Sequence, residues 1–144
     1  MTVFTYRYFL YRFPQLCILA VNEADEPIGC VVGKMDEEEI SIPLAIPVGE
    51  RNGDDSFETT TMVGYIGMLA VSEKFRRRGI GKALVQRILR RMRAMGCSSA
   101  TLETEVTNVT AQRLYQDIFG FVREELLVRY YLNWNDAYRL RLWF

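Results

Sequence analysis

A chain of 144 residues, 49% of them hydrophobic, carries enough apolar material for one buried core and too little for two comfortable domains. It contains no histidine, which removes imidazole as a base, nucleophile partner or metal ligand, and its apolar runs fall far short of the roughly 20 residues a membrane span needs. The 18 basic and 18 acidic residues cancel in sum but not in place: residues 36–61 hold eight acids and one Arg, whereas residues 73–93 hold nine Lys or Arg and one acid.

Tyr6, Phe9, Leu10 and Phe13 follow the rhythm of one helix face, and Pro14 cannot continue a helix, so a short aromatic-faced helix is predicted to open the chain. Leu16 to Val21 and Ile28 to Met35 are rich in strand-forming residues and flank the polar stretch Asn22–Pro27, which predicts a hairpin. Residues 36–61 are acidic, carry Pro43, Pro47, Gly49 and Gly53 and show no clear period, which predicts a long loop or mobile hairpin tip. Met62 to Val71 is a nearly continuous apolar run interrupted by Gly64 and Gly67, as in a central strand whose backbone something approaches closely.

Ile80, Leu84, Ile88, Met92 and Met95 then share one helix face, Lys82, Arg87, Arg90, Arg91 and Arg93 point elsewhere, and Gly96 supplies a stop. Ala100, Leu102, Thr104 and Val106 alternate with Thr101, Glu103 and Glu105 as a strand requires. Asn108 suits the start of the next helix, whose apolar face is Ala111, Leu114, Tyr115 and Ile118. The tail predicts strands from Phe121 to Leu132 and from Ala137 to Phe144. The fold class is therefore α/β (α+β), one domain with a mixed central sheet flanked by helices. Three cysteines, Cys17, Cys30 and Cys97, make a poor disulfide framework. With Arg7, Arg12 and Pro14 spoiling a signal peptide, this predicts a soluble cytoplasmic protein.

The most informative segment is Arg76-Arg77-Arg78-Gly79-Ile80-Gly81, which lies between the apolar strand and the basic helix. A helix N-terminus presents free N–H groups and the positive end of its dipole, and glycines let those amides approach a phosphate with no Cβ in the way. Three arginines add bidentate phosphate donors, which points to a ligand with several phosphates. A solvated Arg-rich turn explains the same spacing without a ligand. The pattern lacks the Lys-Ser/Thr of a Walker A loop and the three spaced glycines of a dinucleotide fingerprint.

Strand, Arg-x-x-Gly-x-Gly and helix together resemble the GCN5-related N-acetyltransferase (GNAT) superfamily, in which the loop amides hold the pyrophosphate of acetyl-CoA. Four further strings extend the likeness over most of the chain: Tyr6-Arg7-Tyr8-Phe9-Leu10, Gly64-Tyr65-Ile66-Gly67-Met68-Leu69-Ala70-Val71, Leu102-Glu103-Thr104-Glu105-Val106-Thr107-Asn108 and Arg129-Tyr130-Tyr131-Leu132-Asn133. Together they look like the NatC catalytic subunit family, which acetylates the α-amino group of nascent proteins that begin with Met and a large hydrophobic residue.

The resemblance implies acetyl-CoA as cosubstrate and no metal. It implies Arg76, Arg77, Arg78, Gly79, Ile80 and Gly81 on the pyrophosphate, the backbone of Leu69, Ala70 and Val71 along the pantetheine arm, and Asn108 on its far side. It implies Glu103 as general base, directly or through water, and Tyr115 as the acid that protonates the leaving thiolate. With no histidine, a carboxylate or bound water has to relieve the attacking amine of its proton. Tyr65, Tyr130 and Tyr131 match positions that line the peptide groove, and the stripe of Tyr6, Phe9 and Phe13 matches its wall. Each assignment has a plainer counterpart: a solvated strand face for Glu103, a core tyrosine for Tyr115, a helix cap for Asn108 and strand packing for the other tyrosines.

Implied partners are the N-termini of nascent proteins, a large auxiliary and a small accessory subunit of a NatC complex, and the ribosome, with no membrane and no DNA. The likeness begins near Phe4, so the family's first strand and part of its first helix, with a Glu-Pro-Tyr that grips the substrate, are expected to lack counterparts here. The acidic segment is an insertion relative to the family's short hairpin. One residue more than usual separates Tyr115 from Gly120-Phe121, which is expected to tilt the tyrosine. Rival readings are a GNAT enzyme acting on lysine or a small amine, and a non-enzymatic module whose basic helix binds RNA or an acidic protein.

Overall fold

The computed structural model describes residues 3–43, 56–128 and 135–144. The helix α1 (Val3–Arg12) opens the chain and ends where Pro14 starts a short 3₁₀ turn. Phe9 is buried and Phe13 half-buried, but Leu10 is 56% exposed and leaves the predicted apolar stripe. The strands β1 (Cys17–Val21) and β2 (Pro27–Pro43) form the expected hairpin. Its turn is closed by the Asn22 side chain, whose Oδ1 accepts from the amides of Ala24 and Glu26 at 2.9 and 3.0 Å.

The acidic segment departs from expectation. The strand β2 continues through the acids to Pro43, and β3 (Ser56–Val71) begins well before Met62. Their antiparallel register is unbroken from Gly33↔Ile66 to Pro43↔Ser56. Carboxylates are poor strand formers, and their run masked a ribbon whose cross-strand partners, Ile40↔Thr59 and Ile42↔Phe57, are β-branched or aromatic. Residues 44–55, the remainder of the predicted loop, lie outside the described residues.

The helix α2 (Ile80–Ala94) lies on one face of the six-stranded sheet, buries Leu84, Val85, Ile88, Leu89 and Met92, and leaves its five predicted basic residues exposed. Each fully buried aliphatic side chain of this kind contributes roughly 1.5–3 kcal/mol. What approaches Gly64 is the side chain of Met92: a Cβ added at Gly64 would overlap its Sδ and Cγ. Gly64→Ala is therefore expected to destabilise by roughly 1–3 kcal/mol, as overpacking does, and to lower the thermal melting midpoint.

The strands β4 (Cys97–Glu105), β5 (Val122–Leu127) and β6 (Ala137–Trp143) complete the sheet, whose order is β1-β2-β3-β4-β6-β5. The first tail strand starts one residue later than expected, after the buried Phe121, and gives way to a turn at Val128; the rest of the predicted strand, from residue 129, lies outside the described residues, as do residues 133 and 134. All neighbours are antiparallel except β3 and β4, which are parallel and joined across α2. Between β4 and β5, α3 (Val109–Gln112) widens into a π turn over Arg113–Ile118, marked by the bond from Phe119 N to Leu114 O, 3.3 Å. The wider turn explains a second departure. Ile118 rotates off the apolar face and is 54% exposed, while Phe119 packs on the core.

Candidate active site

The parallel pair β3 and β4 makes four pairings, shifts register once between Met62 and Val63, and ends at Tyr65↔Thr101. Beyond them β3 runs on to Val71 and β4 to Glu105, yet the two no longer pair. A bulge helps: Gly33 pairs with Ile66 and Val32 with Met68, so Gly67 is the extra residue that re-aims β3. Leu69, Ala70 and Val71 keep β2 on one side and face a widening gap on the other, with Ala70 exposed.

The Arg-Gly loop sits at the mouth of this gap. Glu73–Phe75 form a 3₁₀ turn, after which Arg77 takes φ 64° and Gly79 takes φ 77°. A left-handed arginine is uncommon and Gly79 has the conformation glycine best supplies. Arg76 donates through Nε to the Val71 carbonyl at 3.2 Å, which fastens the loop to the end of β3, and Arg78 lies 5.2 Å over the Phe75 ring. Gly79 is the N-cap of α2 and supplies no side-chain cap, so the first-turn amides of Ile80, Gly81 and Lys82 lack helical partners. A Cβ at Gly81 would meet Val71 and Leu69 only at 3.7 and 3.8 Å, ordinary contact distances. Packing alone does not demand glycine there. An uncapped helix start, two glycines and three exposed arginines suit an anionic, phosphate-bearing group.

Asn108 follows the end of β4 and caps α3, its Oδ1 accepting from the Ala111 amide at 3.1 Å. The plainer reading of Asn108 thus holds for its oxygen, and its Nδ2 donor remains. Tyr115 is 5% exposed and packs edge-on against Phe121, ring centres 5.5 Å apart. Burial pushes its phenol above the ordinary value of 10.0, because the phenolate would lose its water. The residues between Tyr115 and Gly120 run through the π turn, within which Tyr115 keeps its contact with Phe121.

On the opposite sheet face lies a groove of about 630 Å³. Phe9 forms part of its wall, and Tyr65, Thr101, Glu103, Arg139 and Arg141 are among its lining residues. Thr101 donates to the Gly64 carbonyl at 3.3 Å, and Lys34 stands 5.4 Å over the Tyr65 ring. The Glu103 side chain is 9% exposed and lies 3.8 Å from Arg139 Nη2. Glu105, two residues on, is instead tied to Asn135 Nδ2 at 3.2 Å. Because strand side chains alternate, Leu102 joins the buried cluster that contains Tyr115 while Glu103 enters the groove. The two candidate catalytic residues thus flank β4 from opposite faces, along the stretch that β3 has left. Tyr130, Tyr131 and the side chain of Tyr6 lie outside the described residues.

Sequence reasoning missed Arg139 and Arg141. Arg141 is 6% exposed and reaches Glu124, Ser99 and Glu38, with Nη1 donating to Ser99 Oγ at 2.9 Å. The signal was present: both arginines alternate with Tyr138, Leu140 and Leu142 and mark a charged second face of β6. Among the described residues no helix is long and apolar enough to cross a membrane, and no cluster of three or more His, Cys, Asp or Glu is placed to hold a metal.

A sheet splayed between two parallel strands, with a glycine loop and helix start at the gap, defines a class, and comparison with known proteins agrees. The acetyltransferase (GNAT) family profile matches residues 2–121, so the chain belongs to the GNAT family. It is 42% identical over 142 residues to N-alpha-acetyltransferase 30 of Xenopus laevis, covering 99% of this chain and 44% of that protein. It is 39% identical over 145 residues to N-alpha-acetyltransferase 30 of Saccharomyces cerevisiae, covering 98% of this chain and 71% of that protein. The chain thus spans less than half of the frog relative and most of the yeast one. Among solved structures, the NatC complex bound to Gag peptide and CoA contains a chain 37% identical, with a TM-score of 0.79, covering 100% of this chain and 80% of that one.

Proposed function

We propose that this protein transfers the acetyl group of acetyl-CoA to the α-amino group of protein N-termini, with preference for Met followed by a large hydrophobic residue. The observation that carries the reading is the end of β3–β4 pairing at Tyr65↔Thr101, beyond which Arg76 fastens the Arg-Gly loop to Val71 of β3 and Glu103 of β4 enters the groove. The free amides at the start of α2, with Gly79 and Gly81 beside them, and the arginines Arg76 to Arg78 would hold the pyrophosphate. The free edge of Leu69 to Val71 and the Asn108 amide would hold the pantetheine arm. Bound acetyl-CoA supplies the thioester carbonyl that an amine can attack.

Glu103, in the groove, takes the proton from the incoming α-ammonium so that nitrogen can bond to the acetyl carbon. The carbon–sulfur bond breaks, Tyr115, kept protonated by burial, gives its proton to the thiolate, and the second proton shed by the acylated nitrogen restores the phenol. Tyr65 and Phe9 would contact the first residues of the peptide, together with Tyr130 and Tyr131. Relatives named N-alpha-acetyltransferase and a similar chain within a CoA-bound and peptide-bound complex support this reading. By the same likeness the protein works in the cytoplasm with a large auxiliary and a small accessory subunit, and the exposed basic side of α2 faces ribosomal RNA.

The test is acetyl-CoA with a panel of peptides that differ only at the second residue, followed by CoA release. Met-Leu, Met-Ile, Met-Phe and Met-Trp are expected to turn over fastest. Equal rates across the panel, or faster acetylation of internal lysine, would replace the acceptor. Salt-sensitive RNA binding without acetyl-CoA binding would replace the enzyme reading.

A further inference from the structure

The strand β5 carries a bulge: Arg123 pairs with Leu140 and Glu125 with Arg139, which leaves Glu124 as an extra residue. In an unbulged strand Glu124 and Glu125 would point to opposite faces. Here both carboxylates reach the groove-facing arginines of β6. Glu124 accepts from Arg141 Nε at 3.0 and 3.1 Å, and Glu125 accepts from Arg139 Nη1 at 3.0 Å. Bulges commonly re-aim side chains next to active sites.

The consequence falls on Glu103. Arg139 lies directly across from it in the β4–β6 register, within reach of a two-pronged pair of the kind arginine frequently forms with a carboxylate. Instead, its nearer nitrogen stays 3.8 Å away, beyond hydrogen-bond distance, while Nη1 is engaged by Glu125. Arg141, the other arginine on that face, is saturated by Glu124, Glu38 and Ser99. Neither cation hydrogen-bonds Glu103.

From this arrangement we infer that Glu125 is a positioning residue: it holds Arg139 back from Glu103 and so leaves that carboxylate free to accept a proton. The inference rests on the proposed role of Glu103 as base. Glu125 is 53% exposed at its side chain and is not among the groove-lining residues. Its removal releases Arg139, which then closes on Glu103, and that contact has to break before each turnover.

A double-mutant cycle tests this with acetyl-CoA and a Met-Leu peptide. Glu125→Gln is expected to lower kcat roughly tenfold, the cost of one charge-assisted hydrogen bond broken per turnover, with melting temperature and KM for acetyl-CoA unchanged. In an Arg139→Gln background the same change is expected to have no effect, because the cation it restrains is gone. Unchanged kcat in Glu125→Gln, or an equal loss with and without Arg139, overturns the inference. Glu103→Gln in the same assay separates the two claims: full turnover there removes the base itself, whatever Glu125 does.

Discussion

Replacing Glu103 by Gln is expected to lower kcat for peptide acetylation by on the order of 10² to 10⁴ and to leave acetyl-CoA binding intact, read by CoA release against calorimetry. The amide keeps the shape of the side chain and its place in the groove but cannot take a proton. An α-amino group ionises near pH 8, so at neutral pH most of the substrate arrives as ammonium and needs a base. No histidine is available to substitute. The deficit should shrink as pH rises through about 8, because free amine then arrives already deprotonated. Unchanged turnover at pH 7 would mean that the proton leaves by another route.

Tyr115→Phe is expected to lower kcat by on the order of 10² with little change in folding at neutral pH, because the ring keeps its edge-on packing against Phe121. Burial raises the phenol, so wild-type Tyr115 remains a proton donor throughout the usual assay range, and its titration should leave no mark on the rate there. The same shift sets a sign for stability. In the unfolded chain the phenol ionises near its ordinary 10.0, while in the fold it keeps its proton. The unfolded state therefore binds fewer protons above that point, and stability falls as pH rises further. Below it the contribution is constant. Denaturant melts between about pH 8 and 11 should show this alkaline decline in wild type and a weaker one in Tyr115→Phe.

The parts of the fold legible in the sequence are those where one residue pattern had one solution. The apolar stripe from Ile80 to Met95 admits only a helix on a sheet, and the Arg-Gly loop before it places a helix start where glycine conformation matters. The acidic ribbon was opaque for the opposite reason. A two-stranded extension has no buried face to impose alternation, and Glu37 to Glu39 disfavour the strand that Ile40 and Thr59 to Thr61 support. The groove was half visible. Tyr65 and Glu103 stand in strings with a family likeness, whereas Arg139 and Arg141 acquire meaning only once β6 is seen to lie between β4 and β5, an order that no local pattern encodes.

The π turn at Arg113–Ile118 bears on how such a chain tolerates change. Adding a residue to a regular helix swings everything beyond it by about 100°, which would carry a downstream aromatic from interior to solvent. Here the widening is confined to a single turn: Tyr115 inside it and Phe121 after it meet ring to ring, while Ile118 is turned outward. An insertion of this kind is nearly silent for the interior, and it frees one surface position to drift. The bond from Phe119 to Leu114 is where that latitude is stored, in one widened turn between two rings that stay in contact.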